Sequence, residues 1–489
     1  MATAANEVLP LRALHYDASR VGQIGDCLAP PYDVISPAMQ EAYHARHPYN
    51  VVRLTLGRQH AGDTAADNRY TRAAATLDDW QARGVLRAAA QPAFWVYEQS
   101  FEAPAAGSRR VTGLIGRVRL HEYSAGAILP HEQVMGGVVE DRLRLTRACK
   151  VQTEYIWSIY REPDGVVDRL LEQATAPPPM IDHTERPPDE HEGDRRPRGK
   201  RPVDEHPRGV RHRLWRLADR TSLAAIAQTL CRQPIYIADG HHRYQTMLHY
   251  RNEMRRRHPD AGAHAPWEFI LMFLVNAEHQ ELTILPIHRL LHGLPVGDPR
   301  ALERRLSERF AVRRYRHADG GRAAAERRWL DDLAATRTEE RTLGVYVRGS
   351  DSFLAATLRD GVVAAGSAGS ASPRWLRLGV NVLNDLVLRR IFGVSEEEFD
   401  AGERVSYTHS AGEALAAVDA GRADVGLLMS PTALDDVLAV AAAGERMPRK
   451  STFFYPKPVS GLLFYPMALP GAVFARGAAN PDDALHGHG

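Results

Sequence analysis

Five consecutive residues, Asp239-Gly240-His241-His242-Arg243, place a carboxylate, a glycine, two imidazoles and a guanidinium between an apolar run and a helix-forming one. Asp239 suits the position just ahead of a helix, where its carboxylate accepts a bond from a first-turn amide. Gly240 permits a sharp bend and the close approach of a ligand. Residues 241 to 243 then fall in the first turn, where exposed amides and the helix dipole favour an anion. Arg243 can grip phosphate oxygens with two donors, and a neighbouring histidine can donate a hydrogen bond or move a proton. Adjacent helical residues diverge, so His241 and His242 do not make a metal pair. The bland alternative is a polar helix start with one histidine satisfied in the core. Five such residues in a row favour a phosphate-binding turn.

Other stretches carry chemistry less specifically. Pro130-His131-Glu132-Gln133 pairs a base with an orienting group, or offers one ligand to a divalent ion, and Asp141-Arg142-Leu143 follows it. Position 135 is Met, so this is not the His-Glu-x-x-His of zinc proteases. Gly444 to Thr452 ends Lys450-Ser451-Thr452 like a Walker loop, but Arg449 stands where its second glycine belongs and Pro448 removes an amide. Lys450, Ser451 and Thr452 remain candidates to contact a phosphate from a turn. Pro30 and Pro31 restrict the backbone ahead of Tyr32 and Asp33, which suits presenting those two in a cleft. Only four of the 62 basic residues are lysines, and two of them, Lys450 and Lys457, lie within eight residues. A compact ammonium does what a planar guanidinium cannot, so the pair hints at lysine-specific work.

These motifs need elements to hold them. Alternation at 93–101 and 111–120 predicts paired strands, and 68–83 has helical spacing. A strand at 234–238 feeds the Asp-Gly turn, and a helix follows over 244–257. Phe269–Asn276 and 281–288 read as a hairpin around residues 277–280. From 343 onward strands and helices alternate, which is α/β in character. The expected organisation is a mixed α+β, α/β protein with four parts. These are an N-terminal part (1–176), a flexible charged insertion (177–213), a part carrying the Asp-Gly turn (214–340) and a C-terminal α/β part (341–489). The insertion is rich in Pro, Glu, Asp and Arg and has too few large apolar residues to offset its ordering entropy.

Length requires more than one ordinary core, and 44% hydrophobic with 25% charged residues is globular composition. A net charge of +2 gives no global reason to expect nucleic acid or an anionic membrane. No apolar run approaches the ~18 residues of a membrane span. Cys27, Cys149 and Cys231 fit neither a disulfide framework nor a cysteine zinc site, so a cytoplasmic setting is expected.

Taken together, Pro30 to Ser36, Pro130-His131-Glu132, Asp141-Arg142-Leu143, Ala238 to Tyr244 and Met447 to Lys457 make the chain resemble a prokaryotic family, domain of unknown function 1015. The turn at 239–243 is similar to the nucleotide-binding motif of the ParB/sulfiredoxin superfamily, which includes kinases of free serine. The resemblance implies a ParB/sulfiredoxin-like core in which Gly240, His241, His242 and Arg243 surround the phosphates of a nucleotide or pyrophosphate. It implies transfer to a small hydroxyl substrate. Glu132 or Asp33 would accept the proton, with His131 beside them. Lys450 and Arg142 would offset charge, and Mg2+ is the expected metal. The alternative it leaves open is a nucleotide-binding, DNA-associated or regulatory protein without kinase activity. No helix-turn-helix is evident, which weighs against that alternative.

Overall fold

A computed structural model describes residues 4–103, 107–134, 136–186, 209–294, 299–336, 341–362, 372–395 and 404–468, with 398 and 402. The centre of the molecule is a nine-stranded mixed sheet. Its order runs Ile128–Leu129, Ile235–Asp239, Ile156–Tyr160, Phe269–Asn276, Gly107–Arg119, Phe94–Ala103, Arg211–Leu217, Ile181–Thr184, and Val8–Leu9 also pairs with Gly107–Arg119. Phe269–Asn276 reads Phe-Ile-Leu-Met-Phe-Leu-Val-Asn, and every residue is buried because helices and strands cover both of its faces. The predicted pair of strands is Phe94–Ala103 and Gly107–Arg119, antiparallel with Gln99 opposite Val111. The predicted helix at 68–83 is Arg69–Ala82, started by a capping box between Asn68 and Thr71.

The hairpin expected around residues 277–280 does not form. Phe269–Asn276 pairs instead with Ile156–Tyr160 and Gly107–Arg119, while Thr283–Leu285 pairs with Phe453–Tyr455. Its apolar sequence is explained by burial on both faces, and a central strand finds partners on either side wherever the chain supplies them. A second, six-stranded sheet has the order Phe310–Arg316, Ser352–Leu358, Thr342–Val347, Val425–Met429, His288–Leu291, Val405–Thr408.

The sheets do not respect the expected part boundaries. Phe94–Ala103 pairs with Arg211–Leu217 across residue 176, and strands from both sides of residue 340 share the second sheet. The ends of the expected insertion are adjacent antiparallel strands, Ile181–Thr184 and Arg211–Leu217. Its middle, 187–208, lies outside the described residues. Among the described residues no helix is long and apolar enough to cross a membrane.

Candidate functional site

The strand Ile235–Asp239 and the helix His241–Arg257 meet at Gly240, whose φ of 99° lies in the left-handed region. A β-carbon there would stand 3.0 Å from Ile156 Cδ1 and 3.2 Å from Arg243 Nη2, so glycine is required by both backbone and space. The register against Ile156–Tyr160 shifts between Ile237 and Asp239. Such a bulge re-aims the side chain that follows it. Asp239 does not cap the helix, as the sequence had suggested. Gly240 occupies the cap, no side chain caps the first turn, and the first helical bond is Tyr244 N–H to the Gly240 carbonyl.

Asp239 is instead occupied by cations. Its Oδ2 lies 2.7 Å from Arg243 Nη2, one helical turn on, and its Oδ1 lies 2.9 Å from Lys457 Nζ. Lys457 reaches on to Asp33 Oδ2 at 2.6 Å. Arg243 Nη1 donates to the Tyr155 carbonyl at 2.7 Å. Burial pushes the Asp239 carboxyl up, but Lys457 and Arg243 outweigh it and hold the group at about 2. Burial likewise works against the charge on Lys457, and Asp239 with Asp33 outweighs it, raising its pKa. Arg243 is raised against burial by Glu154, Asp239 and Asp33.

The cluster adds Glu154 and Lys457 to the candidate site residues of the sequence. Glu154 is buried, and its Oε1 accepts from the Tyr32 amide at 3.1 Å and from Ser460 Oγ at 3.2 Å. Nothing in the sequence around Glu154 marks it. Lys457 carries a signal, the scarcity of lysine, but shares it with Lys450, and only the fold places Lys457 between Asp33 and Asp239.

Glu132 is placed by a parallel bridge to Met447, whose amide donates to the His131 carbonyl at 2.7 Å. Its carboxylate accepts from the Lys450 backbone amide and lies in the field of the Lys450 ammonium. Burial pushes this half-buried carboxyl up, Lys450 pulls it back, Asp239 pushes again, and it settles at about 7. A carboxyl poised near neutrality suits a general base. Lys450 is exposed, with a positive φ of 58°, and its carbonyl accepts from Arg289 Nη2. His242 is half-buried among Asp33, Asp239, Arg243 and Lys450, with burial lowering its pKa.

Several expected contacts point elsewhere. His131 is 1% exposed; its Nδ1 donates to the Ile237 carbonyl at 2.9 Å, so its Nε2 must accept from Thr452 Oγ1 at 2.9 Å. Burial lowers it to about 4, and it ties three motifs together as a neutral ring. His241 is turned inward too, edge-on to His131, and its Nε2 accepts from the His131 amide. Adjacent helical residues diverge, so with His241 packed on His131 the next side chain, His242, points away from that contact. Arg142 is buried, with donors spent on Asp141 and on the Thr55 carbonyl, and stacks 4.0 Å over the Tyr32 ring. It steadies the Tyr32–Val34 turn that carries Asp33. Ser451 is buried, its hydroxyl donating to the Pro448 carbonyl.

The structure therefore brings together Asp33, Glu132, Asp239, Gly240, His242, Arg243 and Lys450 and adds Glu154 and Lys457. His131, His241, Arg142, Ser451 and Thr452 become their supports. Among the described residues no three His, Cys, Asp or Glu side chains are grouped to hold a metal ion.

Fold and cluster define a mixed α/β protein with a half-buried set of acids and bases at a strand-to-helix turn. The chain belongs to the family described as Protein of unknown function (DUF1015), whose model matches residues 8–195 and 198–381. No curated protein matches it. Among solved structures, a free serine kinase in complex with AMP aligns over 70% of this chain and 86% of its own, at 11% identity and a TM-score of 0.32. A conserved hypothetical protein from Pyrococcus furiosus aligns over 70% and 90%, at 12% identity and 0.31. SbnI with a C-terminal truncation, from Staphylococcus aureus, aligns over 70% and 84%, at 10% identity and 0.31. Likenesses this distant leave function to the geometry of the cluster.

Proposed function

We propose that the protein is a cytoplasmic enzyme that binds a phosphate-bearing ligand at the turn 239–243 and transfers a phosphoryl group to a small hydroxyl substrate. The observation that carries this reading is one convergence. A helix start uncapped by any side chain stands beside Arg243, Lys450 and Lys457, with a carboxyl near neutrality, Glu132, next to them. The resemblance of the turn to ParB/sulfiredoxin nucleotide sites points the same way.

In this reading the helix start and Arg243 hold oxygens of the donor, ATP, ADP or pyrophosphate. The substrate hydroxyl oxygen attacks the terminal phosphorus, the bond to the leaving phosphate oxygen breaks, and the hydroxyl proton passes to Glu132. Lys450 offsets the charge that gathers on the transferring group. Lys457, fixed between Asp33 and Asp239, holds both carboxylates in place and keeps Asp239 ionised. Mg2+, if bound, would come largely with the donor's phosphates.

Phosphorus NMR of the protein with free serine and each donor in turn tests the proposal. A new phosphomonoester signal, lost in Glu132→Gln, is the expected result. Absence of transfer, together with no calorimetric binding of any of the three donors, would overturn it. Binding without transfer would instead favour the regulatory alternative.

A further inference from the structure

The second sheet contains a buried cation that the proposed phosphoryl chemistry does not use. Arg289 lies in the strand His288–Leu291, opposite Tyr407 and Leu427, and is 2% exposed. Its Nη1 donates to the Ile287 carbonyl and its Nη2 to the Lys450 carbonyl at 2.9 Å, but its Nε has no hydrogen-bond partner. No carboxylate among the described residues pairs with it; the Tyr407 ring stands 5.5 Å from the guanidinium carbon. Burial pulls its pKa down to about 10, so the group is still charged at neutral pH. A buried charge without a counter-charge is costly, and proteins rarely keep one without use.

Beside it is a small cavity of about 30 Å³, lined by Arg289, Thr342, Gly379, Met429, Thr432 and Ser451. One water needs roughly 10–15 Å³ by this measure, so there is space for about two waters or the head of a small acid, and none for a nucleotide. Asp436 also reaches the cavity, but Arg374 engages it at 2.8 Å. Arg341 adds a second positive charge on the lining.

We propose that this cavity is a binding site for a small carboxylate, held by Arg289. A carboxylate oxygen would accept from Nε, supplying the counter-charge and the missing bond together. Occupancy also bears on the neighbouring loop. Arg289 Nη2 holds the Lys450 carbonyl, Thr432 Oγ1 holds the Ser451 carbonyl at 2.7 Å, and the Lys450 amide reaches Glu132. The inference stands apart from the phosphoryl-transfer reading, since its test contains no phosphate.

The probe is carbon-13-labelled formate, followed by NMR line broadening with the full chain, with acetate as competitor and neutral formamide as control. The wild type should broaden the formate line; acetate should reverse this and formamide should not. Arg289→Met should weaken binding by about ten-fold or more. Gly379→Val, whose new β-carbon would meet Met429 Cε at 3.6 Å, should fill the cavity and weaken binding similarly with Arg289 intact. Should Arg289→Met fail to fold, Gly379→Val decides. No broadening by the wild type, competition by formamide, or binding undiminished in either folded variant would overturn the proposal.

Discussion

Replacing Lys457 with methionine keeps the aliphatic stem and removes the charge that joins Asp33 to Asp239. The lysine side chain is 10% exposed and that of Asp239 20%, so solvent can replace little of the lost attraction. Breaking a buried pair by removing one partner costs about 3–5 kcal/mol. Arg243 still engages Asp239 at 2.7 Å, which sets the expectation at the lower end, about 3 kcal/mol. The carboxyl gives a second measure. Its fall from 3.8 to about 2, won against burial by Lys457 and Arg243, corresponds to roughly 2 kcal/mol. The assay is urea unfolding at neutral pH of the wild type, Lys457→Met, Asp239→Asn and the double variant. The double variant should be about 2 kcal/mol more stable than the summed single losses require. Because the folded carboxyl is depressed, its contribution is present above the unfolded pKa and disappears as pH falls from about 4 toward 2. Single losses that add to within about 0.5 kcal/mol would refute the coupling.

Gly240→Ala should cost about 1–2 kcal/mol from the left-handed backbone alone and should weaken pyrophosphate binding by displacing Arg243, as calorimetry would record. Glu132→Gln should abolish transfer while sparing donor binding; in the wild type the rate should climb as pH rises through about 7, since a base must be deprotonated. His131 is depressed to about 4, so the stability it contributes is complete above the unfolded value near 6.5 and lost as pH falls toward 4. A His131→Gln variant should show a shallower acid loss over that window, by up to roughly 3 kcal/mol. Arg142→Lys should lower the thermal midpoint yet leave donor affinity unchanged, because that guanidinium is spent on Asp141 and Thr55.

What the sequence disclosed was local. The strand, glycine and helix around Asp239 follow from residue types within about one turn of one another, and the pair Phe94–Ala103 and Gly107–Arg119 follows from alternation. What it hid was long-range. The partners of Phe269–Asn276 lie over 100 residues away in the chain, and no local pattern distinguishes a hairpin from two separate pairings. The same holds for the part boundaries at 176 and 340, because a sheet recruits strands by fit and not by order. His241 and His242 are indistinguishable as letters; only the packing against His131 turns one inward. Lysine scarcity marked Lys450 and Lys457 alike. Deciding which would sit between two carboxylates required knowing that Asp33 and Asp239 meet.

The most direct test of the central claim is a crystal structure of the protein grown with pyrophosphate. Phosphate oxygens are expected at the helix start, within about 3 Å of first-turn amides and of Arg243, with Lys450 drawn toward them. Pyrophosphate bound away from residues 239–243, with no phosphate oxygen near those amides, would contradict that claim.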